Sequence, residues 1–88
     1  MKVYFPTRYE DIPSSHGEGI VYRVSCGIEH WDDEPQHVCK VQMVYDGRVS
    51  GRRSPSFPIG SDDWERVTAA MERVRKGQGK SGGGMVSE

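Results

Sequence analysis

Residues 19–45, "GIVYRVSCGIEHWDDEPQHVCKVQMVY", decide the fold. From Ile20 onward the even positions carry Ile20, Tyr22, Val24, Cys26 and Ile28. The odd positions carry Val21, Arg23, Ser25, Gly27, Glu29 and Trp31. An apolar period of two is the mark of a half-buried strand. "DDEP" then makes a turn, after which the odd positions Cys39, Val41, Met43 and Tyr45 are apolar and Lys40 and Gln42 fall between them. A turn over residues 32–35 pairs Trp31 with Gln36, His30 with His37, Ile28 with Cys39 and Cys26 with Val41. Directly opposed residues share a face, so both apolar sets land together and the hairpin is self-consistent.

Downstream, "YDGR" at 45–48 is a strong turn signal. A two-residue turn would place Arg48 and Arg52 on the apolar face. A three-residue loop over Asp46, Gly47 and Arg48 is therefore expected, pairing Tyr45 with Val49. Val49, Gly51, Phe57 and Ile59 then face the core and Ser50, Arg52, Ser54 and Ser56 face outward. Arg53 falls on the wrong face and Pro55 needs an edge or a bulge, so the strand breaks near them. "GSDDWERVTAAMERVRK" at 60–76 reads as a helix. Ser61 is its expected N-cap, and Asp62 and Asp63 sit where the helix dipole favours negative charge. Trp64, Val67, Thr68, Met71 and Val74 form its apolar stripe, with Trp64 and Met71 expected in the core. Gly77 ends it. The expected fold is α+β: an antiparallel sheet of three to four strands, then one C-terminal helix packed on one face.

The organisation follows. Residues 1–18 form an N-terminal arm or edge strand, with Val3, Tyr4 and Phe5 halted by Pro6 and residues 10–18 read as a loop. Residues 19–76 form the β-β-β-α domain, and residues 77–88 a flexible glycine-rich tail. At 88 residues and 34% hydrophobic content, one modest core is expected, reinforced by dimerisation. Nothing approaches the roughly 20 apolar residues of a membrane span, and the start lacks a secretion signal. Two cysteines are too few for a disulfide framework, so a reducing cytoplasm is expected.

Two constellations carry residue types suited to chemistry. Cys26, His30, His37 and Cys39 are zinc-ligand types. Cys26 and His30, however, lie roughly 13 Å apart along a strand, whereas zinc wants ligands at about 2.0–2.3 Å from one centre. A bulge at Gly27 shortens that gap, and His30, His37 and Cys39 are closer together. Cysteines acting as small hydrophobes are preferred, so no metal or other cofactor is expected. For catalysis, Cys39 with His37 or His30 is the candidate dyad and residues 32–34 the clustered carboxylates. No phosphate loop or serine elbow is present, and a non-enzyme is expected.

The charge distribution carries the function. The net charge of −1 hides an asymmetry: residues 10–34 hold seven acids and one base, whereas residues 37–60 hold four bases and one acid. With the helix on one sheet face, Arg23, Lys40, Arg52 and Arg48 share the other, beside Trp31, with Glu29 the main opposing charge. The alternative role for such arginines is to keep an edge strand soluble, and Trp31 then caps the hairpin.

Within residues 19–76 the pattern resembles the single-stranded-DNA-binding domain of the positive cofactor four family of transcriptional coactivators. Gly51, Arg52 and Arg53 resemble its Gly-Arg-Lys segment. Phe57 and Ile59 resemble its apolar strand end, and Asp62, Asp63 and Trp64 its acidic turn and early helical tryptophan. The chain departs from the family in a shorter loop after Tyr45, in lacking a lysine-rich strand, and in its slightly acidic balance. The resemblance implies a curved antiparallel sheet, a homodimer joined through helices, and basic channels for single strands. The expected function is single-stranded DNA or RNA binding with low sequence preference, in transcription or DNA maintenance. Arg23, Lys40, Arg48, Arg52 and Arg53 would contact phosphates, and Trp31 and Tyr45 would offer stacking surfaces. The alternative is a small protein-interaction module of phage or mobile-element origin, using the sheet face or the acidic segment 29–34.

Overall fold

Alternation of apolar and polar residues builds the sheet in the computed structural model, which describes residues 3–32, 34–82 and 86–87. In chain order the elements are β1 (Val3–Pro13), β2 (Ile20–Trp31), β3 (Glu34–Tyr45), β4 (Arg48–Ser50), α1 (Asp63–Arg75), β5 (Lys80–Ser81) and β6 (Val86–Ser87). The antiparallel sheet runs β4-β3-β2-β1, and β5 and β6 pair with the far side of β1. The helix follows the long strands and contacts β1 and β2. This is the expected α+β arrangement.

The register differs from expectation by two residues. Trp31 pairs with Glu34, Cys26 with Cys39, Val24 with Val41 and Tyr22 with Met43. Asp32 adopts a φ of +48°, which tightens the turn; its neighbour Asp33 lies outside the described residues. A shift of two preserves parity, so both apolar sets still share one face.

The second turn is also tighter than expected. Asp46 and Gly47 have φ of +49° and +83°, and Tyr45 pairs with Arg48. Left-handed conformation at both central residues defines the primed turn that matches strand twist. The anticipated penalty for burying arginines does not arise. The fourth strand ends at Ser50, Arg48 stays exposed, and Arg52 lies beyond the strand. Gly47→Ala is expected to cost about 1 kcal/mol in urea unfolding, because a Cβ is disfavoured in the left-handed region.

The core joins Ile12, Tyr22, Val24 and Met43 of the sheet to Val67, Ala70 and Val74 of the helix. The helix is rotated from the expected stripe, since its buried residues are Asp63, Val67, Ala70 and Val74. Trp64, expected in the core, is 56% exposed, and Ile59 is fully exposed.

Asp63 accounts for the rotation. Its Oδ2 accepts from the Ser15 backbone N–H at 2.9 Å and the Ser15 hydroxyl at 2.8 Å, and its Oδ1 accepts from Arg66 Nη2 at 2.7 Å. The Tyr22 hydroxyl lies 2.6 Å from Oδ2 and 2.7 Å from the Ser56 carbonyl, and shares its single hydrogen between them. The hydrogen bond from Tyr22, then those from Ser15 and Arg66, hold this carboxyl well below the usual carboxylate range against the opposing effect of burial. Drawing Asp63 inward swings Trp64 to the flank. There it meets Phe57 edge-on, and Phe57 stacks on Tyr22. Ser61 is not the N-cap; that position is Asp62, which makes no side-chain cap. Ser61 Oγ instead donates to the Pro58 carbonyl and accepts the Asp63 N–H.

Residues 10–13, expected in a loop, belong to β1, which pairs with β2 from Tyr4–Glu29 to Pro13–Val21. A bulge lies between Pro6 and Arg8. Arg73 of the helix grips Glu10 through two nitrogens, at 2.9 Å for the nearest contacts. Within the stretch expected to be a flexible tail, Lys80–Ser81 pairs with Tyr9 and Arg8, and Val86–Ser87 pairs with Tyr4 and Val3. Residues 83–85 and 88 of that stretch lie outside the described residues. No helix among the described residues is long and apolar enough to cross a membrane.

Candidate nucleic-acid interface

The sheet face turned away from the helix was expected to be bare and cationic. Its cations are in fact paired. Arg23 sits directly opposite Asp11 across β1 and β2 and makes a bidentate ion pair with it, at 2.8 and 2.9 Å. That hydrogen-bonded carboxylate raises the guanidinium's proton affinity further. Lys40 Nζ lies 2.5 Å from Glu29 Oε2 and 4.7 Å from the centre of the Tyr4 ring. The side chains of Arg23 and Lys40 are only 18% and 17% exposed. Tyr4, Ser25, Glu29, Gln42 and Val44 on this face are buried as well. The Tyr4 hydroxyl is hydrogen-bonded to Ser25 Oγ at 2.8 Å, and burial pushes its pKa up to about 12.

The other predicted arginines lie elsewhere. Arg48, Arg52 and Arg53 are exposed on β4 and the segment after it. No ion pair engages any of them among the described residues. Arg52 and Arg53 join Lys40, Gln42, Ser50 and Ser54 around a shallow groove of about 270 Å³. Two side-chain contacts shape it: the Arg53 guanidinium lies 4.8 Å over the Tyr45 ring, and the Arg53 N–H donates to Ser50 Oγ at 3.2 Å. The groove is open, polar and cationic, and it lies between the outer side of β3 and the turn that follows β4.

The aromatic candidates are not part of it as stacking surfaces. Tyr45 packs against the core and under Arg53. Trp31 is 46% exposed at the far end of the β2–β3 hairpin, with its indole N–H donating to Glu29. Its partner Glu34 is six residues from Lys40, roughly 20 Å along the strand.

The remaining constellations are also separated. Cys26 and Cys39 face each other directly, whereas His30 pairs with Pro35 and His37 with Ile28. Among the described residues no group of three or more metal-ligating side chains converges. No hydrogen bond joins Cys39 to either histidine among the described residues. A pair not anticipated from sequence, His16 and Ser56, has Nε2 3.3 Å from the hydroxyl and 2.9 Å from the Ser56 carbonyl. A carbonyl only accepts, so Nε2 carries the proton and is not a base toward that hydroxyl. Glu29, the opposing charge expected on this face, pairs with Lys40, whereas sequence reasoning missed Asp11 as the partner of Arg23. The signal for Asp11 was cross-strand position, visible only once β1 is a strand paired to β2. Searches of protein-family models, curated proteins and solved structures find nothing that matches this chain.

Proposed function

We propose that this chain is a non-catalytic module of the cytoplasm that binds single-stranded nucleic acid with little sequence preference. The observation that carries this reading is the groove where Arg52 and Arg53 meet Gln42, Ser50 and Ser54. Nearby Arg48 is likewise exposed and engaged by no carboxylate among the described residues. Phosphates supply the anion such a groove lacks, and the paired Arg23 and Lys40 serve the sheet instead. A homodimer through the helices, as in the family the sequence resembles, would cover the exposed Trp64.

Fluorescence anisotropy with labelled oligo-dT tests the proposal. Three arginines neutralising three phosphates give a slope of log K against log salt of about −2. Arg52→Ala with Arg53→Ala is expected to weaken binding about tenfold or more at low salt and to flatten that slope toward about −0.7. Arg23→Ala is expected to leave binding unchanged. Absence of binding at low salt, or an unaltered slope in the double variant, defeats the proposal.

A second reading, a protein-interaction module, rests on a different feature. Tyr45 closes the β3–β4 turn with Arg48, so its backbone groups point toward β4. In an antiparallel ladder every second residue points the same way. Val41, Cys39 and His37 therefore direct N–H and C=O groups outward beyond the end of β4, with no backbone partner among the described residues. An extended peptide adds to such an edge through main-chain hydrogen bonds. Nuclease digestion separates the two readings, because it releases a nucleic acid and leaves a peptide in place.

A further inference from the structure

We propose that Cys26 and Cys39 form a dithiol site that exchanges with small-molecule disulfides and closes reversibly into a disulfide between β2 and β3. This inference is independent of the nucleic-acid proposal. Its basis is the register, which makes the two cysteines direct cross-strand partners on one face. Odd-numbered residues of β3 point their backbone groups away from β2, so Cys26 and Cys39 occupy a non-hydrogen-bonded position. There Cα atoms approach to about 4.5 Å and side chains come closest. A disulfide accepts Cα separations of about 4.4–6.8 Å. Both cysteines are free thiols.

Access and order of reaction follow from the surroundings. The helix packs on β1 and β2, leaving Cys39 exposed while Cys26 is half-buried. The two line an open cavity of about 250 Å³ with Thr7, Gly27, His37 and Arg75, wide enough for a small thiol compound to approach. Burial, then the adjoining Cys39, pushes the Cys26 thiol up to about 12. Cys39 is therefore the group that meets an incoming reagent, and Cys26 resolves the product.

The chemistry balances in two exchanges. The Cys39 thiolate attacks one sulfur of a small disulfide such as oxidised glutathione, forming a mixed disulfide and expelling a glutathione thiolate. Cys26 transfers its proton to solvent base, attacks Cys39 Sγ and expels the second glutathione. Two protein thiols are oxidised, and one glutathione disulfide is reduced to two thiols.

The test equilibrates the full chain in buffers of oxidised and reduced glutathione, followed by acid quench, alkylation and intact mass. The folded protein is expected to lose two hydrogens without adduct or dimer, and to regain them in excess reduced glutathione. Its equilibrium constant for closure is expected to exceed that of the urea-unfolded chain by about tenfold or more, because the strands hold the sulfurs together. Cys26→Ser is expected to stop at a stable glutathione adduct on Cys39. Closure no more favourable when folded than in urea overturns the proposal. So does a folded protein yielding only Cys39 adducts or intermolecular dimers.

Discussion

Asp63→Ala is expected to lower the melting temperature by roughly 10 °C or more in a thermal scan at neutral pH. The carboxylate is fully buried and joins three separate parts of the chain: Ser15 in the β1–β2 connection, Tyr22 in β2, and Arg66 in its own helix. Removing it takes a charged acceptor from all three at once; the buried Tyr22 hydroxyl keeps only the Ser56 carbonyl, and the charge-assisted bonds to Ser15 and Arg66 are lost together. Asn at this position keeps the shape but turns an NH₂ group toward donors, so it relieves the loss only in part.

The same group sets an acid limit. Its native pKa lies below the unfolded value of 3.8, so the unfolded state binds the proton more readily. The stabilisation is fully present above that value and declines as the pH falls through it toward the native pKa. Urea midpoints measured from pH 7 to pH 3 are expected to fall more steeply below about pH 4 in the wild type than in Asp63→Asn. Parallel profiles would show that Asp63 is not the responsible acid.

The second large effect is expected from Gly27→Ala, at about 3 kcal/mol in urea unfolding. A Cβ on Gly27 would stand 2.3 Å from the Phe5 carbonyl oxygen and 2.6 Å from Pro6 Cα. Both are backbone atoms beside the β1 bulge, so no rotamer change makes room. Relief requires β1 to lift away from β2, which would also loosen Tyr4 from Ser25. Gly51→Ala, with nothing near its Cβ position, is the matched control. Equal losses in the two variants would remove the steric explanation.

Much of this fold was legible in the alternation of residues 20–45, because face assignment depends only on parity. Register was not legible for the same reason: any even slip leaves the faces unchanged. A two-residue turn conflicts with the arginines only where β4 runs on through Arg52. The strand stops at Ser50, and the left-handed preference of Asp46–Gly47 then meets no opposition. In the helix, the size of Trp64 outweighed the short polar side chain of Asp63, whose burial depends on Tyr22 and Ser15 far away in sequence. Arg52 and Arg53 were recognisable as exposed cations. The neutralisation of Arg23 was hidden because Asp11 was assigned to a loop rather than to the strand beside it.

The two rims of the sheet receive different treatment, and this limits how copies can grow onto one another. Over Val3–Tyr4 and Arg8–Tyr9 the outermost strand is already sealed by the returning C-terminal segments. At the opposite rim, Pro35 offers no N–H at the position that precedes the open groups of His37, Cys39 and Val41. Filaments built by strand addition need two open rims on every subunit, whereas a molecule with one can join head to head once and then stop.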